Sequence, residues 1–271
     1  MMMVSMSAPE TPTSNPTVRL ARTVAVTSGK GGVGKTFFSA NLAAALARQG
    51  LKVLVLDADL GLANLDVVLN LYPKITLHDV FTGKAELEEA ILPAPGGFHV
   101  LLAGSGLVEY SRLTPEVRDQ LMRIFEAVKP RFDVVLIDTG AGISDVVLYA
   151  VSMAHEVIVV ATPEPTSMTD AYATIKVLSA QQGRETLHMV VNQVTRPGDG
   201  RTICNQLQQV VERFVQGPNG ASPKLTFLGD IPLDSSVREA VQKRQLLLEL
   251  HPGSAAAQGV VQVATRLQAR G

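Results

Sequence analysis

Residues 29–36 read Gly-Lys-Gly-Gly-Val-Gly-Lys-Thr. They fit the spacing G-x-x-x-x-G-K-[ST], with Gly29, Gly34, Lys35 and Thr36 in the fixed places. Residues 23–27 before the loop form a short run rich in β-branched side chains, and residues 38–49 after it are Ala/Leu-rich with a helical pattern. A strand, a glycine-rich loop and a helix in that order commit the chain to an α/β fold with an anion cradle at a strand tip. Glycines reach positive φ and leave no side chain in the way. Backbone N–H groups of the loop and the start of the helix can then converge on one phosphate. In such a loop Lys35 reaches the β- and γ-phosphates of ATP, and the Thr36 hydroxyl serves as a Mg²⁺ ligand. The predicted cradle comprises Gly29, Lys30, Gly31, Gly32, Val33, Gly34, Lys35, Thr36 and Phe37.

The rest of the chain fits that commitment. It has 271 residues, 46% apolar and 18% charged, enough for one large globular domain. The formal net charge of −1 argues against broad electrostatic binding to nucleic acid. A single cysteine, Cys204, allows neither an intrachain disulfide nor a cysteine metal cluster, and predicts a reducing, cytoplasmic setting. Cys204 falls in a predicted helix as a packing residue. Residues 1–20 lack the basic start and apolar core of a secretory signal, and no apolar run approaches a membrane span. They are rich in Ser, Thr, Pro and Asn and predict a disordered tail, leaving 21–271 as the folded domain.

Strands are predicted at 23–27, 53–57, 99–102, 134–138, 157–161, 188–192 and 225–229, with helical patterns between most of them. Several are apolar throughout, as expected where helices cover both sheet faces. The alternation predicts a doubly wound, mostly parallel sheet. Ligands in such sheets bind beyond the carboxyl ends of the strands, so polar residues there carry the functional reading.

The second strand ends in Asp57-Ala58-Asp59, and the fourth in Asp138-Thr139-Gly140. Asp57 and Asp138 are predicted beside Mg²⁺, and Asp59 on a switch segment where it orients the attacking water. The glycines after Asp138 suit a second switch that orders around a γ-phosphate. Ser167-x-x-Asp170 has the spacing of a capping box and predicts a helix start at that point. Asn192, at another strand tip, offers a donor and an acceptor in one plane. Val260, Val263, Ala264 and Leu267 form an i, i+3, i+4, i+7 stripe near the C-terminus.

The second lysine of the loop, Lys30, makes the motif K-G-G-x-G-K-T, and in this the chain resembles the MinD/ParA family of deviant Walker A ATPases. The resemblance extends over nearly the whole chain after residue 21. It implies that Lys30 crosses a dimer interface to the partner's nucleotide, so that Lys30, Lys35 and Asp59 form the catalytic set and ATP drives homodimerisation. It implies that Glu164 meets the nucleotide across the same interface. It also assigns Asn192 to the adenine edge, with Pro232 and Asp234 on the opposite wall of the base pocket.

Residues 57–66, 164–172 and 231–243 look closer to the flagellar-number branch of the family, FlhG/FleN. That branch implies a switch that limits flagellar number by restraining a σ54-dependent, FleQ-like transcription activator, and that works with the flagellar GTPase FlhF. Residues 1–20 do not contain the D-Q-A-x-x-L-R element by which some members stimulate that GTPase. The alternatives within the family are a MinD-type division-site ATPase and a ParA-type partition ATPase. MinD-like proteins often end in a membrane-binding amphipathic helix. The stripe at 260–267 has no aromatic residue and no lysine, so it fits packing against the domain better than a lipid surface and leaves room only for weak membrane association.

Overall fold

A computed structural model describes residues 20–60, 64–104 and 113–270. The expected tail, up to residue 19, and residues 61–63 of the expected switch segment lie outside the described residues. The strands are β1 Arg22–Ser28, β2 Val53–Ala58, β3 Ile91–Pro93, β4 His99–Leu101, β5 Val134–Ala141, β6 Glu156–Ala161, β7 Thr186–Val194 and β8 Lys224–Pro232. The helices are α1 Lys35–Arg48, α2 Leu65–Leu69, α3 Leu77–Phe81, α4 Leu87–Ala90, α5 Pro115–Val128, α6 Asp145–Met153, α7 Pro165–Gln182, α8 Asp199–Phe214, α9 Ser235–Lys243, α10 Leu247–Leu250 and α11 Ala255–Gln268.

The strands form one sheet in the order β3-β4-β2-β5-β1-β6-β7-β8. Every neighbouring pair is parallel except β3 with β4. The doubly wound, mostly parallel α/β sheet expected from the sequence is therefore the fold. All seven expected strands are present. The eighth, β3, is a three-residue edge strand ending in Pro93, too short to show a period and closed by a residue that cannot donate to a ladder.

Alternate residues of the central strands face opposite layers. Ala25, Leu54, Leu56, Val135 and Ile137 pack with α5 and α6, while Val24, Val26, Val53, Val55 and Leu136 pack with α1 and α11. Both sets are buried, which is why these strands carry no polar alternation. The stripe Val260, Val263, Ala264 and Leu267 is at most 1% exposed and packs into the α1 side of the core. Arg22 Nη1 donates to the Leu267 carbonyl at 2.6 Å, satisfying the open C-terminal end of α11. Among the described residues, no helix is long and apolar enough to cross a membrane.

Helix α7 starts earlier than the Ser167 capping box predicts. Glu164 is its N-cap and Pro165 its first residue, a position where the missing proline N–H costs nothing. Ser167 lies inside the helix, buried, with its hydroxyl accepting from Thr162 N at 2.9 Å.

Candidate nucleotide site

The loop between β1 and α1 wraps the mouth of a cavity of about 600 Å³, lined by Lys30 through Phe37 together with Asp59, Asn64, Gly140 and Ser144. Gly34 takes φ 88° as the N-cap of α1. A Cβ there would stand 2.5 Å from Asn192 Nδ2, so the position needs glycine for both conformation and space. Gly29 does not line the cavity. A Cβ on it would stand 2.2 Å from the Asp170 carbonyl oxygen, so this glycine lets the loop lie against the α7 backbone.

Beneath the loop, parallel register sets Asp57 of β2 opposite Asp138 of β5. Both are 1% exposed, and Lys35 is 8% exposed. Asp138 Oδ1 accepts from Ser39 Oγ at 2.8 Å, and the Thr36 hydroxyl also favours the charged form of this carboxylate. Burial raises the Asp138 pKa against the opposing pull of Lys35 and the two hydroxyls. Burial and the negative charge of Asp138 push Asp57 well above the usual carboxylate range. Asp57 Oδ1 accepts from Asp59 N at 3.1 Å, while the buried Asp57 Oδ2 has no hydrogen-bond partner among the described residues.

Two buried carboxylates side by side, one with an orphaned oxygen, fit a hard cation held by oxygen donors. The residues expected around Mg²⁺, Thr36, Asp57 and Asp138, are thus brought together. Three such side chains of the His, Cys, Asp or Glu type converge nowhere among the described residues. The chain offers a partial shell, of the kind phosphate oxygens and waters complete.

A second cavity of about 310 Å³ shares Gly34 and Phe37 with the first and is lined further by Asn192, Pro232, Leu233, Asp234, Val237, Arg238 and Val241. The residues expected around the base therefore meet at one place, next to the phosphate loop. Asn192 Nδ2 donates to the Val33 carbonyl at 2.7 Å, tying the strand tip to the loop. The Asp234 carboxylate is occupied otherwise. It caps α9 through Ser236 N and Oγ at 2.9 and 2.7 Å and accepts from Ala256 N at 3.2 Å. Those bonds lower its pKa.

Glu164 lines neither cavity. Its carboxylate pairs with Lys30 Nζ at 3.0 Å within the same chain. Asn64, Ser144 and Arg238 line the cavities without having been singled out in the sequence. Asn64 has a signal there, as a polar residue on the same segment as Asp59. Ser144 is the N-cap of α6 and Arg238 an exposed residue inside α9, so they look like ordinary capping and surface residues.

A phosphate loop at a strand tip, paired acidic strand ends and an apolar pocket beside the loop define a P-loop nucleoside-triphosphate-binding protein. Comparison with known proteins narrows the class. The ParA family model, described as a NUBPL iron-transfer P-loop NTPase, matches residues 19–268. The chain belongs to the ParA/MinD family of P-loop NTPases. It is 43% identical over 244 residues to the antiactivator FleN of Pseudomonas aeruginosa, covering 90% of this chain and 85% of that one. It is 36% identical over 243 residues to the flagellum site-determining protein YlxH of Helicobacter pylori, covering 89% and 80%. Among solved structures it superposes on the septum site-determining protein MinD of Pyrococcus horikoshii, complexed with Mg-ADP. That match has a TM-score of 0.74 and 28% identity, over 92% of this chain and 96% of the other.

Proposed function

We propose that this protein is a Mg²⁺-dependent ATPase whose ATP-bound homodimer limits flagellar number. One observation carries the chemistry: the buried Asp57–Asp138 pair in register beneath Lys35 and Thr36, with Asp57 Oδ2 unpartnered. Mg²⁺ supplies charge neutralisation for the phosphates when bound. Thr36, Asp57 and Asp138 are the residues that would hold it. Lys35 and the loop amides, Gly31 to Gly34 among them, bind the phosphate oxygens. Asp59, on the cavity wall, orients the attacking water. Asn192 and the Pro232 wall hold the adenine.

Lys30 leaves its own Glu164 and reaches the partner's nucleotide, which makes dimerisation depend on ATP. Glu164 is then free to meet the nucleotide across the interface. Hydrolysis resets the monomer.

The names of the relatives, an antiactivator and a flagellum site-determining protein, support the regulatory reading. The ATP dimer restrains a σ54-dependent, FleQ-like activator and works with the GTPase FlhF, from the cytoplasm and near the cell pole. The burial of the α11 stripe weighs against a MinD-type membrane helix. Cys204 is 2% exposed, and burial pushes its thiol up to about 11, a poor start for iron–sulfur chemistry, which needs thiolates.

The test is flagellar number per cell in a deletion strain complemented with wild type or Lys35→Ala. The reading expects excess flagella corrected by the wild type alone. A normal count with misplaced septa or lost plasmids contradicts the flagellar role and leaves the ATPase chemistry standing.

A further inference from the structure

The apolar cavity beside the phosphate loop has a cation at its rim with no part in holding the phosphates or the metal. Helix α9 presents Val237, Arg238 and Val241 to that cavity, positions that share one side of a helix. Leu233 and Val241 are 64% and 49% exposed, so the cavity is open and its apolar rim is uncovered.

The acids beside Arg238 are engaged elsewhere. Asp234 is held by Ser236 and Ala256. Glu239 is held by Lys243 at 2.7 Å and His251 at 2.9 Å. Arg238 itself is exposed, and among the described residues it makes no hydrogen bond, ion pair or ring contact.

Elsewhere this chain lays guanidinium groups over aromatic rings: Arg118 over Tyr149 at 5.6 Å, Arg201 over Phe227 at 4.9 Å and Arg213 over Phe214 at 5.2 Å. Among the described residues no aromatic ring lies beneath Arg238. A nucleotide base in the cavity supplies one.

We propose that Arg238 is a base-clamping residue, its planar guanidinium stacking on the exposed face of the purine while Asn192 meets the base edge. This rests on the nucleotide reading of the site and extends it from the phosphates to the base. A guanidinium over a π face is attracted by the ring quadrupole, and its flat, weakly hydrated shape stacks in plane-to-plane contact that a lysine ammonium cannot reproduce. Because the whole contact is on the surface, the effect is modest and separate from folding.

The experiment compares Mg-ADP affinity of wild type, R238A and R238K by calorimetry, together with acrylamide quenching of bound etheno-ADP. Stacking predicts that both variants bind about two- to five-fold more weakly, keep the wild-type melting temperature and leave the bound etheno-adenine more open to acrylamide. Wild-type affinity in R238A overturns the clamp. So does full rescue by R238K, which would mean that the charge serves a phosphate. Unchanged acrylamide access in both variants overturns it as well. Failure of the wild type to bind Mg-ADP saturably would overturn the nucleotide reading and the clamp together. Binding that is identical in all three proteins overturns the clamp alone.

Discussion

Lys30 Nζ lies 3.0 Å from the Glu164 carboxylate and 3.0 Å from the Thr166 hydroxyl, so the start of α7 holds the lysine that distinguishes this loop. The two side chains are 39% and 62% exposed. A pair this open contributes about 1 kcal/mol or less, a contact that a partner subunit can replace. Lys30→Ala should therefore leave ADP affinity of the monomer within about two-fold and weaken the ATP dimer at least about tenfold, the scale of one lost charge-assisted contact. Sedimentation in Mg-ATP measures it. Equal dimerisation of variant and wild type would remove the cross-subunit role.

The carboxylate pair gives a second prediction. Asp57 is buried against Asp138 with its pKa raised, so without a cation the two charges oppose folding. Asp57→Asn relieves that repulsion, and its melting temperature without nucleotide should equal or exceed that of the wild type. Its Mg²⁺ dependence should weaken about 10- to 100-fold, the usual cost of losing a group that supports a metal ligand. Thermal melts with ADP across a Mg²⁺ titration separate the two effects. A variant less stable than wild type without Mg²⁺ would contradict the repulsion account.

Gly29 tests the packing of the loop on α7. Gly29→Ala would place a methyl 2.2 Å from the Asp170 carbonyl oxygen, whereas the same substitution at Gly31 meets nothing within 4 Å. Overpacking against backbone costs about 1–3 kcal/mol. Urea unfolding should show a loss of that order for Gly29→Ala and much less for Gly31→Ala. Equal stability of the two variants would show that α7 yields freely.

The opposite end of the sheet carries a pH dependence. Burial raises the pKa of Glu156, but bonds from Arg22 and His188 outweigh it and bring the carboxylate down to about 2 from 4.5. A depressed carboxylate pKa stabilises the fold above the unfolded value, and that stabilisation is lost as pH falls towards the folded one. Discounted for the solvent screening of a half-buried group, the contribution is on the order of 1–2 kcal/mol at neutral pH. Glu156→Gln should be less stable than wild type near pH 7, with the gap closing between pH 4.5 and about 2. A gap that stays constant with pH would assign the effect to packing.

Much of this site is legible in the sequence, because its chemistry depends on backbone position. Strand tips place Asp57, Asp59, Asp138 and Asn192, and periodicity finds strand tips. What stays hidden depends on side-chain partners far apart in the chain. The 134-residue separation between Lys30 and Glu164 leaves no local trace. Ser167 has the spacing of a cap, yet Pro165 starts the helix first. Asp234 resembles a ligand-facing acid, and only the approach of the α11 N-terminus shows its carboxylate to be a brace. Strand β3 needs the β4 edge to exist at all.

The central claim is that ATP, held by this loop and read by Lys30, sets the oligomeric state. The most direct test is the mass in solution of Asp59→Ala in Mg-ATP, in Mg-ADP, and combined with Lys30→Ala. Asp59 lines the phosphate cavity, and under the proposed role, orienting the attacking water, its loss slows hydrolysis by about 10²–10⁴-fold, so bound ATP persists. The account predicts a dimer in Mg-ATP, a monomer in Mg-ADP, and a monomer in both for the double variant. A monomeric Asp59→Ala protein that turns ATP over at the wild-type rate, or a dimer that ignores the nucleotide, would contradict it.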